Sequence, residues 1–506
     1  MIGTDLTAAV TSPVVLALAL PLIGAGLTWR LRGRARTVAA AALLLASTAA
    51  AIALVVTIGR STTPPRWHLT GPLGVEVGLV GDGLAAALLL VVALVGAGVG
   101  GYALLEDLRA PETRHRGHWP LSFALLTGLL ALAMVDDLLS AYLLLELVGL
   151  CGALLVTFRG GRPALLAGAR YLVAELVASL TMLFGVAVVW WQAGTVAYAG
   201  LGAALADTPF GWVGLAIVTV GLLVKIPVAP LHVWLPAAHT QAPSAVSPFL
   251  SGVMVKAALV VLLRLWFLST PQFISDEAAT VIGVLGALAI VWGALTALAA
   301  RGLKRLVAAS TLSQLGLLLL AVPLLAAGAL EGWTGAVVLI VNHGTAKAAM
   351  LLSITLMAES AHHAELVRAG ATAPPPIGHD PELDRLAGSA TRRPIALLAF
   401  GIAALSLVGL PPTGGFVAKW HLLVGAVAVE RWWLVGVILA GTLLTAAYLT
   451  RFLLPAFAAD DERPPVRGWD TRDVIVLLLA SSTLVFGLLP RLLIDLARLG
   501  APVLGA

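Results

Sequence analysis

Residues 221–265 read GLLVKIPVAPLHVWLPAAHTQAPSAVSPFLSGVMVKAALVVLLRL. Lys225 stands just ahead of Pro227, Pro230 and Pro236 in sequence otherwise apolar enough for lipid, and Lys256 stands in the middle of the next apolar run. In hydrocarbon every backbone N–H and C=O needs a partner. A proline-broken span therefore persists only against other protein or a water-filled cavity. Two amines beside a broken helix at membrane depth make this stretch a candidate ion pathway.

The whole chain agrees with that setting. Its 506 residues are 60% hydrophobic and 11% charged, with mean hydropathy +1.00, which excludes a soluble globular domain and predicts an all-α polytopic membrane protein. The net charge of +5 comes from arginines clustered in short loops, so it reads as topology and not as a nucleic-acid patch. Cys151 is the single cysteine, which excludes a disulfide framework and a cysteine metal site. The first apolar run is long enough to span and its arginines follow it, so it reads as a retained helix and not a cleaved signal.

At roughly 20 residues per span the chain divides into fourteen: 6–28, 37–58, 79–105, 121–135, 138–158, 164–192, 211–240 (broken), 243–267, 278–300, 306–328, 332–358, 394–429 (broken), 432–458 and 473–498. Asp136 and Asp137 mark either a tight turn between the fourth and fifth spans or the end of a re-entrant segment. Loops alternate in charge. Odd-numbered loops hold Arg30, Arg32, Arg34, Arg36, Arg109, Arg114, Arg116, Arg159, Arg162, Arg301, Lys304, Arg305, Arg368, Arg385, Arg392, Arg393, Arg463 and Arg467. Even-numbered loops hold Arg60, Arg66 and Arg431 with Asp136, Asp207, Asp276 and Glu277. The basic parity is expected in the cytoplasm, with both termini outside the cell membrane. The longest loop, about 359–393, carries His362, His363, Pro374 to Pro376 and His379; its spacing fits no zinc pattern and its prolines predict an irregular connector.

Of 31 basic residues only five are lysine, and all but Lys304 are expected inside spans: Lys225, Lys256, Lys347 and Lys419. Arginine keeps its proton in a protein, whereas lysine can shed it when desolvated. Lysine at these places points to titration; the plainer alternative is that a slim amine fits a crowded interface. The broken motif recurs as LVGLPPTGGFVAKW in the twelfth span, with Lys419. Five spans separate the two breaks, and an odd offset puts the repeats in opposite senses across the membrane. The expected organisation is a three-helix segment to residue 120, inverted units over 121–267 and 278–458, and a final helix within 459–506.

Each ionisable residue at mid-membrane costs roughly 2.5–3.5 kcal/mol if unpaired, so Glu146, Glu175, Lys225, Lys256, His343, Lys347 and Lys419 must be paired, hydrated or neutral. Glu146 has no basic neighbour one turn away on its own span, so its partner comes from another helix. An acid beside a buried lysine is in principle a proton valve, or else a static tie between helices. His343 and Lys347 share a helix face at i, i+4 and fit a relay. Glu175 is a network acid or an ion-pair member, and His232 within the break is a supporting candidate. Arg264 reads as an anchor or structural partner and Asp82 as interfacial. No nucleotide loop, haem pair, nucleophile elbow or zinc pattern occurs, so no cofactor, metal or redox centre is expected and catalysis is at most that of a translocase subunit.

The stretches DDLLSAYLLLELVGLCGALL, the opening segment, LKRLVAASTLSQLG, VNHGTAKAAMLL and LVGLPPTGGFVAKW resemble, in that order, the antiporter-like subunits shared by respiratory complex I, membrane-bound hydrogenases and Mrp-type cation/proton antiporters. The resemblance covers about residues 75–455. It implies fourteen helices, inverted five-helix units over spans 4–8 and 9–13, and partner subunits in a larger membrane complex. It also implies that Glu146 and Lys225 form the switching pair, that Lys256 is the bridging lysine, and that His343 and Lys419 continue the proton path, with Lys347 at a position often basic. AHTQAPSAVS leans towards large complex I and hydrogenase types. The length and Lys419 suit the D-type Mrp subunit, which implies Na+/H+ antiport, or the ND2-like complex I subunit, and a proton-pumping subunit of a quinone oxidoreductase or membrane-bound hydrogenase is the alternative the resemblance implies. A proton-translocating subunit is thus set against an anchoring subunit with a relic charged axis, and against a solute carrier, which would need clustered polar groups and not a line.

Overall fold

The computed structural model describes residues 12–70, 76–109, 115–206, 208–368, 383–458 and 470–502, without the side chains of 363–368, 384 and 385. Eleven helices among these residues are long and apolar enough to cross a membrane. The other three spans are the short helix His118–Met134 and two interrupted ones, Gly211–Lys225 with Leu235–Gln241, and Pro394–Val408 with Gly414–Ala428. The expected fourteen are all present. The fourth span ends at Met134 and the fifth begins at Leu138, whose helix Asp137 caps by accepting from Ser140 N at 2.7 Å. That is the turn, not a re-entrant segment.

Spans eight (Ser247–Ser269), ten (Leu303–Ala326) and eleven (within Glu331–Arg368) are buried along their length, and the outer spans only in part. Small residues allow the close approach this needs. Gly252 of span eight and Gly344 of span eleven meet so tightly that a Cβ on Gly344 would stand 2.7 Å from Gly252 O and 2.2 Å from Val91 Cγ2. Lys256 lies one turn from this crossing, and His343 and Lys347 flank it. Span eight is widened into a π-helical turn at Leu250–Met254, a feature that commonly marks functional sites.

Loops touch loops of their own parity. Asp136 N donates to Gly78 O and Tyr198 N to Asp136 O, joining loops two, four and six. Arg431 pairs with Asp276. On the other face Leu383 N donates to Arg301 O, Gly388 N to Ala458 O, and Arg109 pairs with Asp470. A wrongly counted span would have broken this sorting.

Several expectations are corrected. Loop two holds two paired antiparallel strands, β1 (Arg66–Thr70) and β2 (Glu76–Val80), too short and too close to an apolar span to stand out in sequence. Span eleven continues to Arg368 because AESAHHAELVR has no helix breaker, so His362 is helical; His363 belongs to the same helix, its side chain outside the described residues, as Pro374 to Pro376 and His379 also are. Arg114, Asp207, Arg463 and Arg467, and the side chains of Arg368 and Arg385, lie outside them too. Lys304 is not a loop residue: it is buried in the first turn of span ten and donates to Ala242 O at 3.1 Å. The fourteenth span is two helices, Thr471–Leu488 and Arg491–Arg498, parted at Pro490.

Candidate functional site

Lys225 is the last residue of its half-helix, where unsatisfied carbonyls and the helix dipole favour a cation. Trp234 Nε1, from beyond the break, donates to Val224 O at 3.3 Å. Lys225 Nζ reaches Glu175 Oε2 at 2.6 Å, Ser179 Oγ at 2.8 Å and Glu146 Oε1 at 3.1 Å. Ser179 in turn donates to Glu146. The buried ammonium is thus shared by carboxylates of spans five and six. Glu175 is the nearer and better covered, its side chain 11% exposed against 35% for Glu146. Arg170, a sequence neighbour of Glu175, points outward. A small cavity beside this cluster is lined by Glu175, Lys225, Tyr171, Trp234, Met254 and Val255.

The next three lysines are different: among the described residues no carboxylate pairs with them. Lys256 Nζ donates to Ser251 O, within the widened turn of its own helix. Ser251 Oγ shares a 2.7 Å hydrogen bond with Thr311 Oγ1 of span ten. The adjacent Ser310 receives Lys347 Nζ, which also donates to Val307 O at 3.1 Å. His343 is fully buried, has Lys256 and Lys347 as electrostatic neighbours, and finds no partner for either ring nitrogen among the described residues. Such orphans in a polar pocket call for water.

The second break ends span twelve's first half by Gly409, at φ 86°, whose N–H and that of Leu410 both return to Leu405 O. Thr413 then caps the second half. The carbonyls left over are those of Leu407 and Val408. Lys419 Nζ donates to them at 3.1 and 2.8 Å and to Thr442 Oγ1 at 3.2 Å.

The remaining candidates lie off this line. His232 sits half-buried in the first break, edge-on to Trp292 with ring centroids 6.4 Å apart. Arg264 holds Asp82 through two bonds of 2.8 and 2.9 Å and Val135 O at 3.0 Å, and Asp82 also caps its helix through Ala85 N. This is a tie between spans three, four and eight. Sequence reasoning passed over His239, fully buried with Nδ1 2.8 Å from Ser247 Oγ, although AHTQAPSAVS carries both residues. It also missed a charge cluster on the odd-loop face: Asp470 takes Arg109 at 2.7 and 2.8 Å and Arg472 at 2.8 Å, Arg472 reaches Glu359 at 2.9 Å, and Arg393 reaches Asp473 at 3.2 Å. Burial raises the pKa of Asp470, but the arginine hydrogen bonds outweigh it and hold the carboxyl well below its usual range. Among the described residues no group of three or more His, Cys, Asp and Glu gathers as a metal site.

Residues 135–445 match the family described as NADH:quinone oxidoreductase/Mrp antiporter, TM. NADH-quinone oxidoreductase subunit N of Desulforudis audaxviator is 31% identical over 426 residues, 83% of this chain and 80% of the relative. A chain of the Mrp complex from Dietzia sp. DQ12-45-1b is similar with TM-score 0.83 and 25% identity over 98% of both chains. A chain of the archaeal membrane-bound sulfane sulfur reductase shares the fold, with TM-score 0.83 and 23% identity over 96% of both chains. With a family match that spans its buried lysine axis, the chain belongs to the NADH:quinone oxidoreductase/Mrp antiporter transmembrane family, as an antiporter-like subunit of a multisubunit membrane complex.

Proposed function

We propose that this chain is a proton-translocating subunit of a multisubunit membrane complex, moving protons along Glu146, Lys225, Lys256, His343, Lys347 and Lys419. The observation that carries this reading is the contrast along the line. One lysine is held by two carboxylates, and three more lie buried against neutral oxygens and an orphaned imidazole. Groups so placed can exchange a proton through hydroxyls and water, and the Glu146–Lys225–Glu175 cluster is where a charge elsewhere can hold or release the amine. His239 and Glu175 support the line. The likeness to subunit N supports a quinone-reductase type assembly, with redox chemistry carried by partner subunits. The likeness to the Mrp complex supports a second reading, in which the same path exchanges protons for sodium. The arginine-rich odd loops favour the cytoplasmic side, with both termini outside.

The test is proton movement in vesicles containing the purified complex. Lys225→Ala or Glu146→Ala is expected to abolish movement while the complex still assembles. Unchanged flux would remove the path; lost co-purification with intact flux per complex would favour an anchoring subunit. Dependence of flux on a sodium gradient, without quinone, separates the two assemblies.

A further inference from the structure

The six axis residues leave one stretch without a carrier, from Lys347 on span eleven to Lys419 on span twelve. A stripe of span thirteen (Trp432–Phe457) fills it. Thr442, Thr445 and Tyr448 follow at i, i+3 and i+6, on one helix face. Tyr448 and Thr445 are buried to 0% and 1% exposure in a helix whose opposite side is exposed leucine. The tyrosine hydroxyl faces Ser310, Gln314 and Thr445, donating to Thr445 Oγ1 at 3.4 Å. Gln314 Nε2 donates to the same Thr445 oxygen at 3.3 Å. At one end Ser310 receives Lys347 Nζ. At the other, Thr442 receives Lys419 Nζ at 3.2 Å.

The Gln314 side-chain oxygen is buried without a partner among the described residues, on the same amide that donates to Thr445. An unsatisfied buried amide oxygen is costly, and a water donating to it from beside Thr445 would satisfy it.

Resting on the proton-path reading above, we propose that Tyr448 is the relay that joins the two halves of the path, passing a proton between Lys347 and Lys419 through Ser310 and a water held by Gln314. In one transfer Lys347 gives a proton to Ser310 Oγ, which releases its own to the Tyr448 oxygen. Tyr448 releases its hydroxyl proton to the water, and the water gives one to the Lys419 amine. The net change is one proton from the Lys347 ammonium to the Lys419 amine. No heavy-atom bond forms or breaks, and the hydroxyls reset by rotation. Tyrosine suits the position because its hydroxyl both donates and accepts at the end of a rigid, well-packed ring.

The experiment compares four variants of the assembled complex in vesicles, with flux normalised to the amount of complex: Tyr448→Phe, Gln314→Leu, Lys419→Ala, and Thr483→Val as a control. Thr483 is an equally buried hydroxyl on span fourteen that bonds only its own helix. Flux at least ten-fold down in Tyr448→Phe, Gln314→Leu and Lys419→Ala, with Thr483→Val unaffected, is the expected result. Flux lost in Lys419→Ala but kept in Tyr448→Phe overturns the relay and leaves the proton path standing. Flux kept in Lys419→Ala overturns the path itself. If Tyr448→Phe does not assemble, Gln314→Leu decides, because it keeps the ring and removes the water's acceptor; wild-type flux there overturns the relay.

Discussion

Replacing Lys225 with alanine tests the centre of the path. The change removes the cation shared by Glu175 at 2.6 Å and Glu146 at 3.1 Å. Each contact corresponds to about 5–6 kcal/mol of Coulomb energy at an effective dielectric constant near 20, most of which offsets desolvation. Breaking a buried pair costs about 3–5 kcal/mol net. Glu146, a third exposed, contributes the small surface-pair share of that, and Glu175 the larger. The expected loss of about 3–4 kcal/mol is within the about 5–15 kcal/mol that folded proteins hold, so the variant assembles. Positioned proton transfer is worth about 10²–10⁴-fold, so flux should fall at least 100-fold, read by a pH-sensitive dye in vesicles. Glu175→Gln and Glu146→Gln preserve shape and divide the effect, and thermal unfolding should move more for Glu175→Gln. Wild-type flux in Lys225→Ala, or a larger stability loss from Glu146→Gln, refutes the reasoning.

Gly344→Ala forces spans eight and eleven apart, because its Cβ would meet Gly252 O at 2.7 Å and Val91 Cγ2 at 2.2 Å. A cost of about 1–3 kcal/mol and flux reduced by up to about 10²-fold for a displacement near 1 Å are expected in thermal unfolding and vesicle assays. Asp82→Asn leaves Arg264 buried without its carboxylate and should cost about 3–5 kcal/mol, with flux per assembled complex unchanged; lost flux in intact complex would put Arg264 in the path. Asp470 has a lowered native pKa, so it binds fewer protons folded than unfolded. Its contribution is complete above about pH 4 and falls as pH drops below that. Asp470→Asn should flatten acid unfolding in that window, measured by the unfolding midpoint against pH.

The span count, the two breaks and the identity of the axis lysines were legible because each rests on a local signal: apolar length, proline, or a charge where charge is costly. Glu175 was not placed, because its partner is 50 residues away and its near basic neighbour in sequence, Arg170, points outward. His239 was passed over because a histidine in a proline-rich break carries no periodic signal. The Thr442, Thr445 and Tyr448 stripe was hidden for another reason: threonine and tyrosine are unremarkable in a membrane helix until the facing helix is known. Arg472 and Asp470, at the fringe of span fourteen, were passed over, and only the packing of spans three, eleven and twelve against them makes a network.

Both ends of the molecule are tied by ion pairs, whereas Lys256, Lys347 and Lys419 in the middle have no ion-pair partner among the described residues. On the even-loop face Arg264, Asp82 and Val135 O bind spans three, four and eight, and on the odd-loop face Arg109, Arg393 and Arg472 bind Asp470, Asp473 and Glu359 across spans three, eleven, twelve and fourteen. Span three is thereby tied to span eight at one face and, through Arg472, to span eleven at the other; a carrier that rocks its halves apart needs interfaces that part, and separating the buried Arg264–Asp82 pair alone would cost several kcal/mol. Between the faces lie hydroxyls, amines, an amide and an imidazole, with rotatable protons and unfilled hydrogen-bond positions. Motion therefore has its lowest cost in side chains and water along the axis. A frame of this kind carries a proton while keeping its helices in place.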